Sequence, residues 1–312
     1  MNQDTTNLPE PSGILLVDKP AGMTSHDVVF RMRRLFNTRR VGHTGTLDPM
    51  ATGVLVVLIG RAAKASEYVS HDEKSYDALL RLGFTSDTED TMGVIDPVTV
   101  IPPANLPDNR AVIEAAKQFQ GSISQIPPMY SALKVGGRKL CDIARRGGVV
   151  ERAARPVVIS SLKIRPGKLP SDYHLSVTCS GGTYIRTLCA DIGAALGCGG
   201  VMAALRRTAA CGFSLSQCHT IEQLTEMSYE ERVACLHPVA SLFADLPEVV
   251  LPPFYDTLCR NGCEIYQNRI QTNFTLGTRV RLHHPDGTFF ALGEIMDFEE
   301  GSAIKAIKLF VL

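Results

Sequence analysis

The sequence predicts an α+β protein in which a large domain of mixed helices and strands precedes a small module of short strands. Between residues 13 and 250, segments with helical spacing of apolar residues are mixed with segments in which apolar and polar residues alternate. From about Pro252 the pattern changes to short strands separated by Gly, Asn and Asp turns. A chain of 312 residues is long enough for both regions. We therefore expect a disordered leader over residues 1–12, a main domain over 13–250 and a β-rich module over 251–312.

Composition argues against several classes of protein. The 32 basic and 32 acidic residues cancel, so net charge gives no hint of nucleic acid. The nine cysteines are spaced too irregularly for a disulfide framework, and Cys259 and Cys263 lack a second pair that would complete a zinc site. The first 13 residues lack the features of a signal peptide, and no apolar stretch approaches the length of a membrane span. We expect a reduced, soluble, cytoplasmic protein without a bound metal.

The first elements are a buried strand and a helix with a basic face. Residues 13–17 form a short apolar run typical of a strand, and a turn follows. Ser25 is predicted to cap a helix whose apolar residues recur at helical spacing up to Phe36. The other face of this helix and the next loop carry five arginines: Arg31, Arg33, Arg34, Arg39 and Arg40. Such a cluster suits phosphate contacts, although a solvated helix face is the more common explanation of a charge run.

Residues 41–60 form the segment in which we expect the chemistry. They place His43, three hydroxyl side chains and one carboxylate, Asp48, between glycines and directly before an apolar strand at residues 54–59. Pro49 fixes its own φ and holds Asp48 in an extended conformation. A loop constrained in this way can aim one side chain into a cleft. The alternative is a tight turn in which Asp48 bonds to its own backbone.

Three further elements are predicted in the next part of the chain. Residues 61–69 form a short helix, and the strand that opens at Lys74 carries Tyr76 at the head of its apolar face. Tyr76 is either a core aromatic or a side chain that stacks on a planar ring. The loop at residues 85–93 is acidic and rich in hydroxyls, but it lacks the spacing of a calcium loop. A helix is expected over residues 108–120.

Residues 125–155 are predicted to form a mobile basic flap. An extended, proline-initiated strand is expected at residues 126–135. Beyond it, four glycines flank six basic residues, which are Arg138, Lys139, Arg145, Arg146, Arg152 and Arg155. Glycine-flanked basic segments of this size suit a flap that closes on a polyanion.

Two strands, at residues 156–164 and 173–179, lead into a second group of candidate residues. The later strand runs into Tyr184 and Arg186, which lie at a junction between a strand and an amphipathic helix. Side chains at such a junction are well placed to reach a cleft.

The C-terminal part of the chain is expected to form a partly closed barrel. Thr220 and Gln223 form a capping box for a helix that precedes it. Asp286 and Gly287 give a hairpin signal. The strands are predicted at residues 278–282, 289–295 and 304–310.

The chain resembles the TruB-type tRNA pseudouridine synthases, which convert the T-loop uridine at tRNA position 55 to pseudouridine. The matching motifs follow the family's order over roughly residues 13–213: DKPAGMTSHD from Asp18, GHTGTLDPMATGVL from Gly42, KSY from Lys74, GFTSDTEDTMG from Gly83, PPMYSALKVGGRKL from Pro127, SGGTYIRTLCADIG from Ser180 and LRR from Leu205. The last sixty residues resemble an RNA-binding PUA domain more weakly, through Asn261-Gly262 and residues 290–294. The resemblance implies a mixed, largely antiparallel central sheet flanked by helices, with a small C-terminal β-barrel-like module.

The resemblance implies that Asp48 is the catalytic nucleophile. Isomerising uridine breaks the glycosidic C–N bond, turns the uracil and rejoins it through C5, so neither a cofactor nor a metal is expected. A carboxylate can attack C1′ of the sugar or C6 of the base, or start a proton abstraction, and covalent and general-base catalysis both need it ionised. Burial beneath a base would raise the pKa of Asp48, and the resemblance implies that Arg186 is the cation that counters this effect. By the same resemblance, Tyr76 stacks on the target base and is a candidate for proton handling at C5.

The remaining roles implied by the resemblance concern binding of tRNA. Tyr184 and Leu205 would line the pocket, His43 would fill the gap left when the uridine is flipped out of the T-loop, and Lys19 would support the floor of the site. The chain lacks long lysine-rich tails, which favours a stand-alone bacterial type that is monomeric and has no obligate protein partner. Cys141 departs from the family's usual aromatic residue in the flap, whereas all catalytic positions match.

Two other classes of protein share parts of this pattern. An RNA-binding or RNA-folding protein with a vestigial pocket would have the same basic clusters, but the intact Asp48, Tyr76 and Arg186 argue against it. A hydrolase of nucleoside glycosidic bonds would normally need an acid/base pair or a metal, and it would release free uracil.

Overall fold

The computed structural model describes residues 10–69, 73–96 and 100–310. The strands are β1 (Gly13–Lys19), β2 (Val41–His43), β3 (Thr52–Ile59), β4 (Lys74–Leu82), β5 (Gly121–Gln125), β6 (Lys134–Val135), β7 (Arg138–Lys139), β8 (Arg155–Pro166), β9 (Asp172–Cys179), β10 (Gly200–Ala210), β11 (Phe213–Ser214), β12 (His219–Thr220), β13 (Glu248–Val250), β14 (Ile265–Tyr266), β15 (Arg279–His283), β16 (Phe289–Phe298) and β17 (Gly301–Leu309). The α-helices are α1 (Ser25–Leu35), α2 (Asn109–Lys117), α3 (Leu140–Ala144), α4 (Ile185–Ala195), α5 (Ile221–Glu226), α6 (Tyr229–Ala234) and α7 (Pro253–Arg260). Short 3₁₀ helices cover Gly60–Glu67, Pro103–Asn105, Leu215–Gln217, Val239–Phe243 and Gln267–Arg269.

Most of the predicted leader falls on residues 1–9, which lie outside the described residues. The described chain begins beside the loop after α1, where Glu10 accepts a hydrogen bond of 2.6 Å from Thr38 and lies 3.2 Å from the Arg40 guanidinium. None of the helices described here combines the length and the hydropathy that crossing a bilayer requires.

The main domain is built on a ten-stranded mixed sheet. Its order is β12-β1-β3-β10-β4-β9-β8-β5, with β2 added to β3 and β11 added to β10. The β1–β12 and β3–β10 pairs are parallel, and the other neighbours in this sheet are antiparallel. The predicted α+β class with a largely antiparallel sheet is therefore confirmed.

Both faces of the central strands β1 and β3 are covered, which explains why their sequences are continuously apolar. Leu15 and Val17 of β1 pack with α1 and α5 on one face. Ile14 and Leu16 pack on the opposite face, in a cluster that also holds Phe289 of the C-terminal sheet. Burying a side chain of this size contributes about 1.5–3 kcal/mol. The main domain and the C-terminal sheet therefore share one apolar cluster on this face of β1.

The alternation in β4 positions one wall of the candidate site. Tyr76, Ala78, Leu80 and Leu82 are buried on one face and pack with β9, α2 and α4, as the sequence predicts. The neighbouring β10 pairs with β4 over its length but with β3 at only two residue pairs, so the sheet opens beside β3.

The C-terminal module is a five-stranded sheet in the order β13-β15-β16-β17-β14. It begins with β13, which precedes residue 251, the predicted start of the module, and pairs in parallel with β15. The predicted hairpin at Asp286-Gly287 joins β15 to β16, and Gly287 adopts the positive φ of +84° that this turn requires. The shape of the sheet is consistent with the predicted PUA-like module.

Two local predictions were wrong. Thr24, rather than Ser25, caps α1 and forms a capping box with Asp27. The Ser25 hydroxyl is instead used in a tertiary contact, since it accepts a hydrogen bond of 2.8 Å from Leu47 N and donates one of 3.2 Å to Leu47 O. Of the strand expected at residues 126–135, only β6 forms, because two successive prolines, Pro127 and Pro128, supply no N–H for a ladder.

Candidate active site

The loop between β2 and β3 presents Asp48 to a buried arginine. Arg186 Nε lies 2.9 Å from Asp48 Oδ2, and its Nη2 donates to Oδ1 at 3.3 Å, which makes the pair bidentate. The arginine side chain is 6% exposed, whereas 33% of the Asp48 side chain remains exposed. Burial raises the pKa of Asp48 above its usual value, and the adjacent Arg186 charge lowers it again. The pair is therefore an accessible carboxylate beside a cation that favours its ionised form.

Main-chain carbonyls hold the guanidinium of Arg186 in this position. Its Nη1 donates to Thr88 O and its Nη2 to Tyr130 O, each at 2.9 Å. Asp90 adds a second carboxylate at 3.8 Å from Nη1, and its negative charge contributes to the raised pKa of Asp48. The acidic loop and the base of the flap thus both contact the cation that pairs with Asp48.

Lys19 fixes the other side of the Asp48 loop. Its buried ammonium donates to Pro20 O at 2.9 Å, Met23 O at 2.6 Å and Pro49 O at 3.3 Å. Gly22 N donates to the same Pro49 carbonyl at 2.8 Å. Burial lowers the pKa of Lys19 to about 8. The turn after β1 is therefore attached to the residue that follows Asp48.

Arg207 connects the Asp48 loop to Tyr76. It is 1% exposed, and it donates to Val54 O at 2.7 Å and to Gly45 O at 3.1 Å. It stands directly opposite Tyr76 in the β10–β4 register. Burial raises the pKa of the Tyr76 hydroxyl, and the positive charge of Arg207 partly offsets this effect. No role for Arg207 was predicted, although a charged residue inside a mostly apolar strand was a usable signal.

Tyr184 and Leu205 stand on adjoining elements. The buried side-chain amide of Gln125 binds both backbone groups of Tyr184, donating to its O at 3.2 Å and accepting from its N at 3.0 Å. Leu205 is buried in the same apolar cluster as Tyr76 and Leu47. Gln125 is a further residue that the sequence did not single out, since its role depends on a partner 59 residues away.

His43 lies at the end of β2, on the strand that leads into the Asp48 loop. Burial and the nearby Arg207 charge lower the pKa of its imidazole, which favours the neutral ring. Its Nδ1 is buried and has no hydrogen-bond partner within the residues that the structure describes. The imidazole beside the loop is therefore held in its neutral form.

The basic side chains predicted to contact phosphate lie mainly on the surface. In the flap, the β6–β7 hairpin turns at Gly136 and Gly137, both with positive φ. The exposed basic residues of the flap are Lys134, Arg138, Lys139, Arg145, Arg146 and Arg155. Arg152 differs, since it donates to Pro127 O at 2.9 Å. Across the described ranges, no group of three His, Cys, Asp or Glu side chains is arranged to hold a metal ion.

Two solved structures of protein complexes contain a chain with the same fold. The chain matches a protein in a Cbf5–Nop10–Gar1 complex with a TM-score of 0.72 and 26% identity, over 96% of this chain and 85% of that one. The chain also matches a protein in an H/ACA RNP bound to a substrate RNA. The TM-score is 0.70, and the match covers 100% of this chain and 93% of that one. Because the identity is 21%, this likeness shows the fold alone. The fold is that of the pseudouridine synthases, isomerases that convert uridine to pseudouridine in RNA.

Sequence relatives narrow this class to one family. Residues 33–185 match the model of the TruB family pseudouridylate synthase N-terminal domain, and residues 186–252 match that of the tRNA pseudouridylate synthase B C-terminal domain. The tRNA pseudouridine synthase B of Clostridium kluyveri is 39% identical over 96% of this chain and 99% of its own length. That of Alkaliphilus oremlandii is 43% identical over 88% and 87%. The chain belongs to the TruB family of pseudouridylate synthases.

Proposed function

We propose that this enzyme isomerises the T-loop uridine at position 55 of tRNA, with Asp48 as the nucleophile. The names of the bacterial relatives support tRNA as the substrate. The observation that carries the assignment of Asp48 is its bidentate contact with Arg186, made while a third of the Asp48 side chain, 33%, stays exposed. A nucleophilic carboxylate must be both ionised and reachable, and this arrangement supplies both properties.

The reaction rearranges one nucleotide without any other reactant. The bond between C1′ and N1 breaks, a bond between C1′ and C5 forms, and the proton of C5 is lost while N1 gains one. The uridine must leave the folded loop to meet Asp48, at a cost of a few kcal/mol. In this proposal Tyr76 stacks on the base and handles the C5 proton, Tyr184 and Leu205 line the pocket, and His43 occupies the gap in the T-loop.

The wider assignments also belong to the proposal. The predicted catalytic domain over residues 13–250 gives up β13 to the C-terminal sheet, the flap at 125–155 closes on the RNA, and the predicted module over 251–312, extended by β13, is a PUA-like RNA-binding module. Lys19 supports the floor of the site through its contact with Pro49 O, at 3.3 Å. The proposal also includes that the enzyme acts as a stand-alone cytoplasmic monomer, which is what its resemblance to the bacterial type implies.

The test uses Asp48→Asn with an unmodified tRNA transcript. The amide keeps the size of the side chain but is not a nucleophile, so pseudouridine formation should fall by at least about 10³-fold while tRNA affinity changes little. Asp77→Asn is the matched control, because Asp77 lies on β4 with an exposed side chain that accepts a hydrogen bond from Ser176 at 2.8 Å. Undiminished product from Asp48→Asn would refute the nucleophile, and stoichiometric release of uracil would refute isomerisation.

A further inference from the structure

An open groove of about 730 Å³ lies at the C-terminal end of α1. It is lined by six residues, which are Phe30, Arg33, Arg34, Asn37, Thr38 and Arg39. Three of the six are arginines, one is an aromatic residue, and none is acidic. The groove therefore combines positive charge with an aromatic ring.

The Arg34 guanidinium lies over one face of the Phe30 ring, and the two side chains form the Phe30–Arg34 surface of this groove. Phe30 is 49% exposed, and the Arg34 Cζ atom lies 4.6 Å from the centre of its ring. The residues are four apart in α1, so the helix holds them side by side. A single exposed aromatic residue is ordinary on a protein surface. A ring held by a guanidinium inside a cationic groove is different, because bases stack on aromatic rings and on arginine planes alike.

The opposite side of the groove offers hydrogen-bond donors for an anion. Asn37 adopts a positive φ of +47°, which turns the chain so that Arg39 also borders the groove. Guanidinium groups form paired hydrogen bonds with phosphate oxygens, and Arg33 and Arg39 both line the groove.

The groove is separate from the candidate active site. α1 begins at Ser25, whose hydroxyl bonds to Leu47, the residue before Asp48. At about 1.5 Å of rise per residue, Phe30 and Arg34 lie roughly 8–14 Å further along the helix axis. A nucleotide in the groove is therefore a different one from the uridine at Asp48.

We propose that this groove binds one unpaired nucleotide of the RNA substrate, outside the nucleotide that reacts. Its base stacks on the Phe30–Arg34 surface, and its phosphate accepts hydrogen bonds from Arg33 and Arg39. An acidic peptide would satisfy the arginines but would leave the aromatic surface unused. The inference rests on the proposed function in that the RNA is taken to be the substrate of this enzyme.

The test measures the affinity of unmodified tRNA for Phe30→Ala, Phe30→Tyr and the unchanged enzyme. Loss of one stacked base corresponds to a weakening of about 5- to 100-fold, so Phe30→Ala should raise Kd by that factor and leave kcat at saturating tRNA unchanged. Phe30→Tyr should retain the affinity because it keeps the ring. Leu169→Ala is the control for loss of an exposed apolar side chain, since Leu169 is 52% exposed in the turn between β8 and β9.

A series of tRNAs that each lack one base identifies the nucleotide. One abasic position should weaken binding to the unchanged enzyme by the same factor as Phe30→Ala, and it should cost nothing further in that variant. Arg33→Ala should lower the slope of log K against log salt by about one, whereas Phe30→Ala should leave the slope unchanged. The proposal would be overturned if every abasic position weakened tRNA binding to Phe30→Ala as much as it weakens binding to the unchanged enzyme. An unchanged Kd for Phe30→Ala would also overturn it.

A mononucleotide provides the last arm of the test. If AMP bound in the groove while the affinity for tRNA did not depend on Phe30, the RNA assignment would be wrong. Because the readout is the affinity for tRNA rather than the formation of pseudouridine, these results stand apart from the fate of the Asp48 assignment.

Discussion

The buried ammonium of Lys19 gives a sharp prediction about stability and pH. Its pKa is lowered by burial to about 8, from a usual value of 10.5. The unfolded chain therefore holds this proton more tightly than the folded protein does. The free energy of unfolding must therefore rise with pH between the two pKa values. In this interval the folded state has released the proton of Lys19, whereas the unfolded state still binds it. Lys19→Met keeps the length of the side chain and removes the titration.

The size of the effect follows from the two pKa values. The charged form costs the folded state about 3 kcal/mol at pH 7, since each pKa unit corresponds to about 1.4 kcal/mol. Raising the pH to 9 should recover about 1 kcal/mol of this cost, and raising it to 10 should recover about 2–3 kcal/mol. The gain is measured as the free energy of unfolding of the unchanged enzyme minus that of Lys19→Met, so that other groups that titrate in this interval cancel.

Urea unfolding between pH 7 and pH 10 provides the assay. The matched control is Lys117→Met, which removes an ammonium on the surface of α2 where it pairs with Glu114 at 2.6 Å. The pH-dependent gain measured with Lys19→Met should exceed any change in the difference between the unchanged enzyme and Lys117→Met. Parallel curves for Lys19→Met and the unchanged enzyme would refute the reasoning, because they would show that Lys19 titrates alike in the folded and unfolded states.

The other predictions concern the two residues that meet where β3 and β10 pair. Gly53→Ala should destabilise the protein by about 2–5 kcal/mol in urea unfolding, because φ is +101° and the new Cβ would lie 2.2 Å from Arg207 O. Gly287→Ala has a similar φ of +84° and open space, so it should cost only about 1–2 kcal/mol. Arg207→Met leaves the carbonyls of Gly45 and Val54 without their donor, so kcat should fall by about 10- to 100-fold while Kd for tRNA changes by less than about 3-fold. A loss confined to tRNA affinity would contradict a positioning role for Arg207.

Periodicity predicted the elements whose burial is regular. The alternation from Tyr76 to Leu82 gave the correct buried face of β4, because a strand in a sheet exposes alternate residues to opposite sides. Predictions from local sequence were wrong where a tertiary contact uses the same side-chain group. Ser25 has the side chain of a helix cap, but its hydroxyl is bonded to Leu47, so Thr24 takes the capping position. A single sequence does not show which of two adjacent hydroxyls is engaged elsewhere.

Residues of the candidate site that lie in recognisable motifs could be predicted from the sequence. Residues whose role depends on buried tertiary contacts could not. Asp48 and Arg186, which are 138 positions apart, were named from the sequence, and the structure brings them into contact. Asp90 was noted only as part of an acidic loop, and Arg207 only as part of a motif. Their positions depend on the β10–β4 register and on the path of the acidic loop, which the spacing of residues along the chain does not encode.

The arrangement of charge around Asp48 explains how an accessible carboxylate is held in one place. Lys19, Arg186 and Arg207 are all buried, and each donates to main-chain carbonyls: Lys19 to Pro49, Arg186 to Thr88 and Tyr130, and Arg207 to Gly45 and Val54. Carbonyl groups partly compensate the desolvation of a cation without neutralising it, so the positive charges of Arg186 and Lys19 remain to lower the pKa of Asp48. Because these carbonyls belong to the loop itself and to the segments around it, the same contacts fix the backbone. A substitution that removes Arg186 or Lys19 should therefore affect the ionisation and the position of Asp48 together.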